Sequence, residues 1–136
     1  MVNPKIERFS HDDDEFWRVA GRLFASASVR RELGRPMTSS PNHTWWIATL
    51  NDDVVGIAAI KTGRARSEFV HAYVLPAYRR MRVYASLLDA RIAFARNSGI
   101  LPIKATATEA STHALMKAGF ECVGTRGKYA LMELRE

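Results

Sequence analysis

Apolar positions along the chain change period several times, and each change marks an element. Lys5 to Phe9 opens as a short strand. Phe16, Val19, Ala20, Leu23 and Phe24 then recur at helical spacing behind Ser10-His11-Asp12-Asp13-Asp14-Glu15. Those short polar and acidic residues suit a helix start, so a helix is predicted to about Ala25. A second helix covers about Ser28 to Leu33 and stops at Gly34, ahead of Pro36. Arg35 to His43, with two prolines among small polar residues, reads as a loop and the best candidate for a mobile one. Thr44 to Leu50 and Val54 to Lys61 are β-rich runs around the hairpin signal Asn51-Asp52-Asp53. Arg66 to Val74 follows after Thr62-Gly63-Arg64, which makes an antiparallel meander. Trp45 and Trp46 fall on opposite faces of their strand, which predicts one in the core and the other near solvent or lining a pocket.

Pro76 to about Ser98 carries two adjacent apolar rows, Val83/Leu87/Ala90/Phe94 and Tyr84/Leu88/Ile92/Ala95, wide enough for a helix lying across that sheet. Asn97-Ser98-Gly99 ends it. Pro102 to Thr108 is the next strand, reached by a right-handed parallel crossover. A short helix from about Ala110 to Lys117 and two strands, Glu121 to Gly124 and Lys128 to Leu134, flanking a turn at Thr125-Arg126-Gly127, complete the order βααβββαβαββ. This is a mixed α/β pattern, expected to form one domain over residues 1–136.

Composition narrows the class without choosing a function. The 136 residues are 47% hydrophobic and 25% charged, as in ordinary globular proteins. The longest clean apolar run, Val54 to Ile60, is too short to cross a bilayer, and MVNPKIERFS has no signal-peptide core, so a cytoplasmic protein without membrane contact is expected. A lone cysteine, Cys122, forms no internal disulfide and reads as a packing residue on a strand. His11, His43, His71 and His113 are dispersed without metal-type spacing, so no structural metal is expected. The net charge of +6 suits phosphate-bearing partners, a coenzyme or a nucleic acid alike.

The densest charge lies where the meander meets the long helix. Val74 ends a strand, Leu75-Pro76-Ala77 turns, and Arg79, Arg80 and Arg82 fall in what the pattern predicts as the helix's first turn. A helix start leaves about four N–H groups unpartnered, and a bound anion would relieve the conflict between basic side chains and the dipole. Val74-x-Pro76 followed by Tyr78-Arg79 resembles the acyl-CoA-binding motif of the GCN5-related N-acetyltransferases (GNAT superfamily). Its usual continuation is Arg/Gln-x-x-Gly-x-Gly/Ala. In this frame Arg79-Arg80-Met81-Arg82-Val83-Tyr84 has Arg82 and Tyr84 at the two glycine positions. The resemblance implies that Val74 and Arg79 to Tyr84 bind coenzyme A. A second anchor, Thr108 to Phe120, resembles the family's Asn-x-x-Ala-x-x-x-Tyr-x-Lys-x-Gly-Phe helix, with Lys117, Gly119 and Phe120 in register. Thr108 then takes the asparagine position and is also expected at the cofactor, while Leu115 stands where many members have a tyrosine acid.

The implied fold is a mostly antiparallel twisted sheet with helices on both faces, and the implied co-substrate is acetyl-CoA. In one branch of the family a glutamate precedes the position of Val74 by six residues, which selects Glu68 as the base that deprotonates an amine acceptor. His71 and Tyr73 are further catalytic candidates, on Glu68's face only if a bulge intervenes, as it often does in the family. His113 either replaces the missing acid or points to solvent. A backbone N–H near Val74 is the expected oxyanion donor. Two readings follow: direct acetyl transfer from acetyl-CoA to an amine, or an inactive scaffold that binds a protein or nucleic acid. A Tyr84 ring filling the phosphate groove would favour the second. A homodimer is compatible with either.

Overall fold

The computed structural model describes residues 3–136. Its elements are β1 (Lys5–Ser10), α1 (Asp14–Ala25), α2 (Ala27–Leu33), β2 (His43–Leu50), β3 (Asp53–Lys61), β4 (Ser67–Val74), α3 (Val83–Asn97), β5 (Ile103–Ala107), α4 (Glu109–Lys117), β6 (Glu121–Arg126) and β7 (Tyr129–Leu134). That is the order read from the hydrophobic pattern. The seven strands make one sheet, β1-β2-β3-β4-β5-β7-β6, antiparallel except for β4 and β5.

Local chemistry explains most boundaries. Asp14 and Glu15 place negative charge in the first turn of α1, and Asp13 accepts the Ser10 N–H at 2.8 Å. Ser26 caps α2 by accepting the Val29 N–H, and Gly34 closes it at φ 81°. In the β2–β3 hairpin, Asn51 and Asp52 both take positive φ, as a two-residue primed turn requires and short polar side chains tolerate. Thr108 and Ser111 form a reciprocal capping box at the start of α4.

Helices cover both faces of the sheet. Under α1 and α2, Phe16 stacks on Trp45 at 5.1 Å between ring centroids, beside Leu23, Ile47, Ile57 and Tyr73. Under α3 and α4 lie Trp46, Phe69, Leu87, Ile92, Leu115 and Phe120. This double cover corrects the expectation for the tryptophans: both are buried, one in each core, because neither face of β2 is open to water. Cys122 departs from expectation too, being exposed on the edge strand β6 rather than packed.

The largest correction is the start of the long helix. Residues Pro76–Tyr78 make a 3₁₀ turn, and α3 begins only at Val83, so Arg79, Arg80 and Arg82 stand in a connecting loop and not in a first helical turn. Proline at the turn and positive φ at Arg80 (67°) and Arg82 (64°) delay the helix. Val83 then packs directly on β3 at Gly56, where an added Cβ would lie 2.8 Å from Val83 Cγ1. Arg91, a polar position inside α3's buried stripe, is 1% exposed. Its guanidinium lies 4.2 Å over the Phe69 ring and donates to the carbonyls of Leu87 and Ala59, an apolar and hydrogen-bonded setting that offsets burial.

Candidate functional site

The centre of the sheet is where chain path and chemistry coincide. β4 and β5 pair only over Ser67 to Phe69 against Ile103 to Ala105, after which β5 continues beside β7. Beyond Phe69 the two strands part, and the edge of β4 facing β5 has no strand partner. On its other side, β4 loses register with β3: Ile57 faces Tyr73 while Ala59 faces Val70, so β4 holds one extra residue. This is a β-bulge, with His71 at φ 57°. The bulge rotates the strand so that Val70, His71 and Tyr73 all serve the α1/α2 face, and Glu68 shares it by ordinary alternation.

Two cavities open on this face. The smaller, about 400 Å³, lies between the α2–β2 loop and strands β3 and β4, and holds Glu68 and His71 together with Arg35, Thr38, His43 and Lys61. His71 lies against Trp45 and His43 in a nearly parallel set of rings, 5.6 and 5.7 Å away. Burial, reinforced by His43, Arg35 and Lys61, pushes the His71 imidazole down to about 4, so it is neutral at pH 7. His43 is lowered as well, first by burial and then by Lys61. Its Nδ1 accepts the Ser40 N–H at 3.1 Å, which places the neutral ring's proton on Nε2. The loop above the cavity is pinned by Ser39 Oγ, which accepts from Trp45 Nε1 and contacts His11 Nδ1, both at 2.8 Å, and by the buried Met37.

The larger cavity, about 800 Å³, lies between the two N-terminal helices and the C-terminal end of β4. Tyr73 faces it, so the bulge gathers all three catalytic candidates on one face but divides them between two cavities. The Tyr73 hydroxyl donates to Glu32 at 2.7 Å, and Arg79 binds the other carboxylate oxygen at 2.7 Å. Both interactions, Tyr73's first, hold the Glu32 carboxyl below its usual range, while burial and Glu32 raise Tyr73. Arg79 also donates to the Val74 carbonyl at 2.9 Å. It is thus a brace between α2 and the loop.

The remaining loop residues are differently placed. Arg80, Met81 and Arg82 are exposed, and neither Arg80 nor Arg82 enters an ion pair among the described residues. The first bond of α3 is Ser86 N–H to Arg82 O, so the amides of Val83, Tyr84 and Ala85 precede any intrahelical acceptor. Left-handed backbone at Arg80 and Arg82, with Met81 between them, is the kind of path that turns successive N–H groups into one concavity, an arrangement suited to an anion. Arg82, which stands at the first of the two expected glycine positions, itself takes the left-handed conformation. Tyr84 packs partly against the α3/α4 core with its hydroxyl beside the Arg91 guanidinium, and so does not fill the loop's concavity. Thr108 spends its polar groups on the start of α4: its hydroxyl accepts the Ser111 N–H, its own N–H donates to Ser111 Oγ, and its carbonyl accepts from Ser111 and Thr112. Leu115 is buried in the core and His113 is exposed.

Glu32, His43, Arg35 and Lys61 were not singled out from sequence. Lys61 was within reach, because the β3–β4 register sets it opposite Glu68. Glu32 carried no signal, being one charge among many on a short helix.

A family model described as the acetyltransferase (GNAT) family matches residues 6–120. No curated protein matches the chain in sequence. Among solved structures, Escherichia coli ElaA shares 15% identity, with 98% of this chain and 100% of that one covered, at a TM-score of 0.78. The ribosomal-protein-S18-alanine N-acetyltransferase of Escherichia coli shares 14%, over 96% and 94%, at 0.73. The Thermoplasma acidophilum PaiA N-acetyltransferase, solved in complex with coenzyme A, shares 15%, over 99% and 100%, at 0.67. At such identities these structures establish the fold alone.

Proposed function

The chain belongs to the acetyltransferase (GNAT) family and is an acyl-CoA-dependent acyltransferase; from that premise we propose that it passes an acetyl group from acetyl-CoA to an amine by direct attack. The observation that carries the reading is the bulge at His71 where β4 leaves β5. It sets the unpaired edge of β4 beside a cavity holding an unpaired carboxylate, Glu68.

Acetyl-CoA supplies an activated thioester carbonyl. The chain supplies everything else. The loop amides before α3, with the guanidinium groups of Arg80 and Arg82, hold phosphate, and Val74 borders the arm leading inward. A backbone N–H on the free edge of β4 polarises the carbonyl. An alkyl amine of pKa about 10.4 is about 0.1% free base near pH 7.5, so Glu68 takes the ammonium proton, directly or through water, before the nitrogen attacks. The C–N bond forms, the nitrogen gives its second proton to water, the C–S bond breaks, and the sulfur leaves as a thiolate. With Leu115 buried, no phenol stands at the family's acid position. A thiol of pKa about 8.5 needs little help, and water protonates it. The neutral His71 narrows the approach and keeps positive charge off the bulge.

Glu68→Gln tests the assignment. We expect kcat to fall by about a hundredfold or more while coenzyme A affinity, measured by isothermal titration, stays within a factor of about two. Failure of the folded wild-type protein to bind coenzyme A at millimolar concentration would reject the reading. Unchanged kcat would reject Glu68 as the base.

A further inference from the structure

We propose that the smaller cavity is the acceptor site and that it selects an amine carrying a carboxylate, that is, a small α-amino acid. The anion would sit on Arg35 and Lys61, with the nitrogen turned toward Glu68. The proposal rests on the acyl-transfer reading above and adds the acceptor class.

Charge carries the argument. Arg35, Lys61 and Glu68 line one cavity, and none of them enters an ion pair among the described residues. Lys61 faces Glu68 directly across the β3–β4 ladder, yet the two side chains do not close on each other. Both imidazoles in the wall are held toward the neutral form, partly by these same cations. The cavity thus offers two positive groups and one negative group. A polyamine would bring further positive charge against Arg35 and Lys61, and an uncharged amine would leave both without a counter-ion. An amino acid satisfies both signs, because its carboxylate accepts charge-assisted hydrogen bonds and its ammonium meets Glu68.

Size and position agree. About 400 Å³ is near the lower bound for small-molecule sites and suits a free amino acid. These cations are also too far from the loop to serve the coenzyme's phosphates: Glu68 and Val74 pair with Lys61 and Gly56, five residues apart on β3, roughly 17 Å of strand. Arg35 and Lys61 are therefore open to an anion other than the coenzyme's phosphates.

The test uses the full chain and two readouts. Saturation-transfer NMR on the protein without donor would compare the twenty common L-α-amino acids, tested singly, with their α-amides and with spermidine. Acetyl transfer from acetyl-CoA would then be measured on the same set. We expect at least one amino acid to bind and to accept the acetyl group, with its amide weaker by about tenfold, the size of one lost charge-assisted interaction. Arg35→Gln and Lys61→Gln, both exposed positions, should raise KM for the acid far more than for the amide, so that the gap between them closes. Amide and acid binding equally, spermidine being preferred, or none of the twenty binding would each overturn the proposal, even in a protein that titrates normally with coenzyme A. Amino-acid binding with no coenzyme A affinity would uphold the anion pocket and reject the acyl-transfer role.

Discussion

His71 shows how much one backbone dihedral decides. At φ 57° it turns β4 by one extra residue, and its ring enters the stack with Trp45 and His43. Burial lowers the folded-state pKa to about 4 from 6.5, so the unfolded chain binds this proton more readily. The contribution to stability is therefore whole above pH 6.5 and is lost as pH falls from 6.5 toward 4. Discounted for the water that reaches the ring, the loss near pH 5 is on the order of 1 kcal/mol, or about 3 to 5 °C in Tm. His71→Asn keeps a residue that tolerates positive φ and removes the titrating ring. Between pH 7 and 5 its Tm should fall by that much less than the wild type's in scanning calorimetry; parallel curves would show that the imidazole is not the cause. Glu68 and Tyr73 were legible as candidates because strand alternation and family register are sequence properties. Their common face with His71 was not, since a bulge is written in the pairing of two strands.

At the scale of elements, the placement of α3 depends on Gly56. The helix starts against this glycine, with Val83 Cγ1 at 2.8 Å and Leu87 Cδ1 at 3.1 Å from where a Cβ would be. Gly56→Ala should push the start of α3 away from β3, costing about 1 to 3 kcal/mol in urea unfolding and weakening coenzyme A binding at the loop ahead of it. Full coenzyme A affinity in a destabilised variant would show that the loop amides do not hold phosphate. Apolar spacing revealed α3's buried rows but placed its first turn too early, because Pro76 to Arg82 can continue a helical pattern while the backbone takes a different path. Arg91 escaped notice for the related reason that a guanidinium on an apolar stripe is read as a breach of the pattern. Its long stem and the Phe69 face make it part of the core.

For the whole molecule, two groups of basic side chains, unpaired among the described residues, stand at opposite ends of one strand: Arg80 and Arg82 beyond the C-terminal end of β4, Arg35 and Lys61 near its start. An anionic donor held by the first pair should bind several-fold more weakly as salt rises from about 0.05 to 0.5 M. In Arg80→Ala/Arg82→Ala that dependence should shrink markedly, whereas Arg79→Ala, which removes a brace to Glu32, should leave it largely intact; isothermal titration across the salt series distinguishes them. The sequence alone determined the order of elements, the acidic start of α1, the Gly34 end of α2 and most of the faces that enter the core, because periodicity and capping act within a few residues. Only the tertiary structure decided which arginines are free, that both tryptophans are buried, and that Glu68 and His71 share a cavity with Arg35 and Lys61. Those outcomes depend on how strands far apart in the chain pair, part and bulge, and no local preference encodes that.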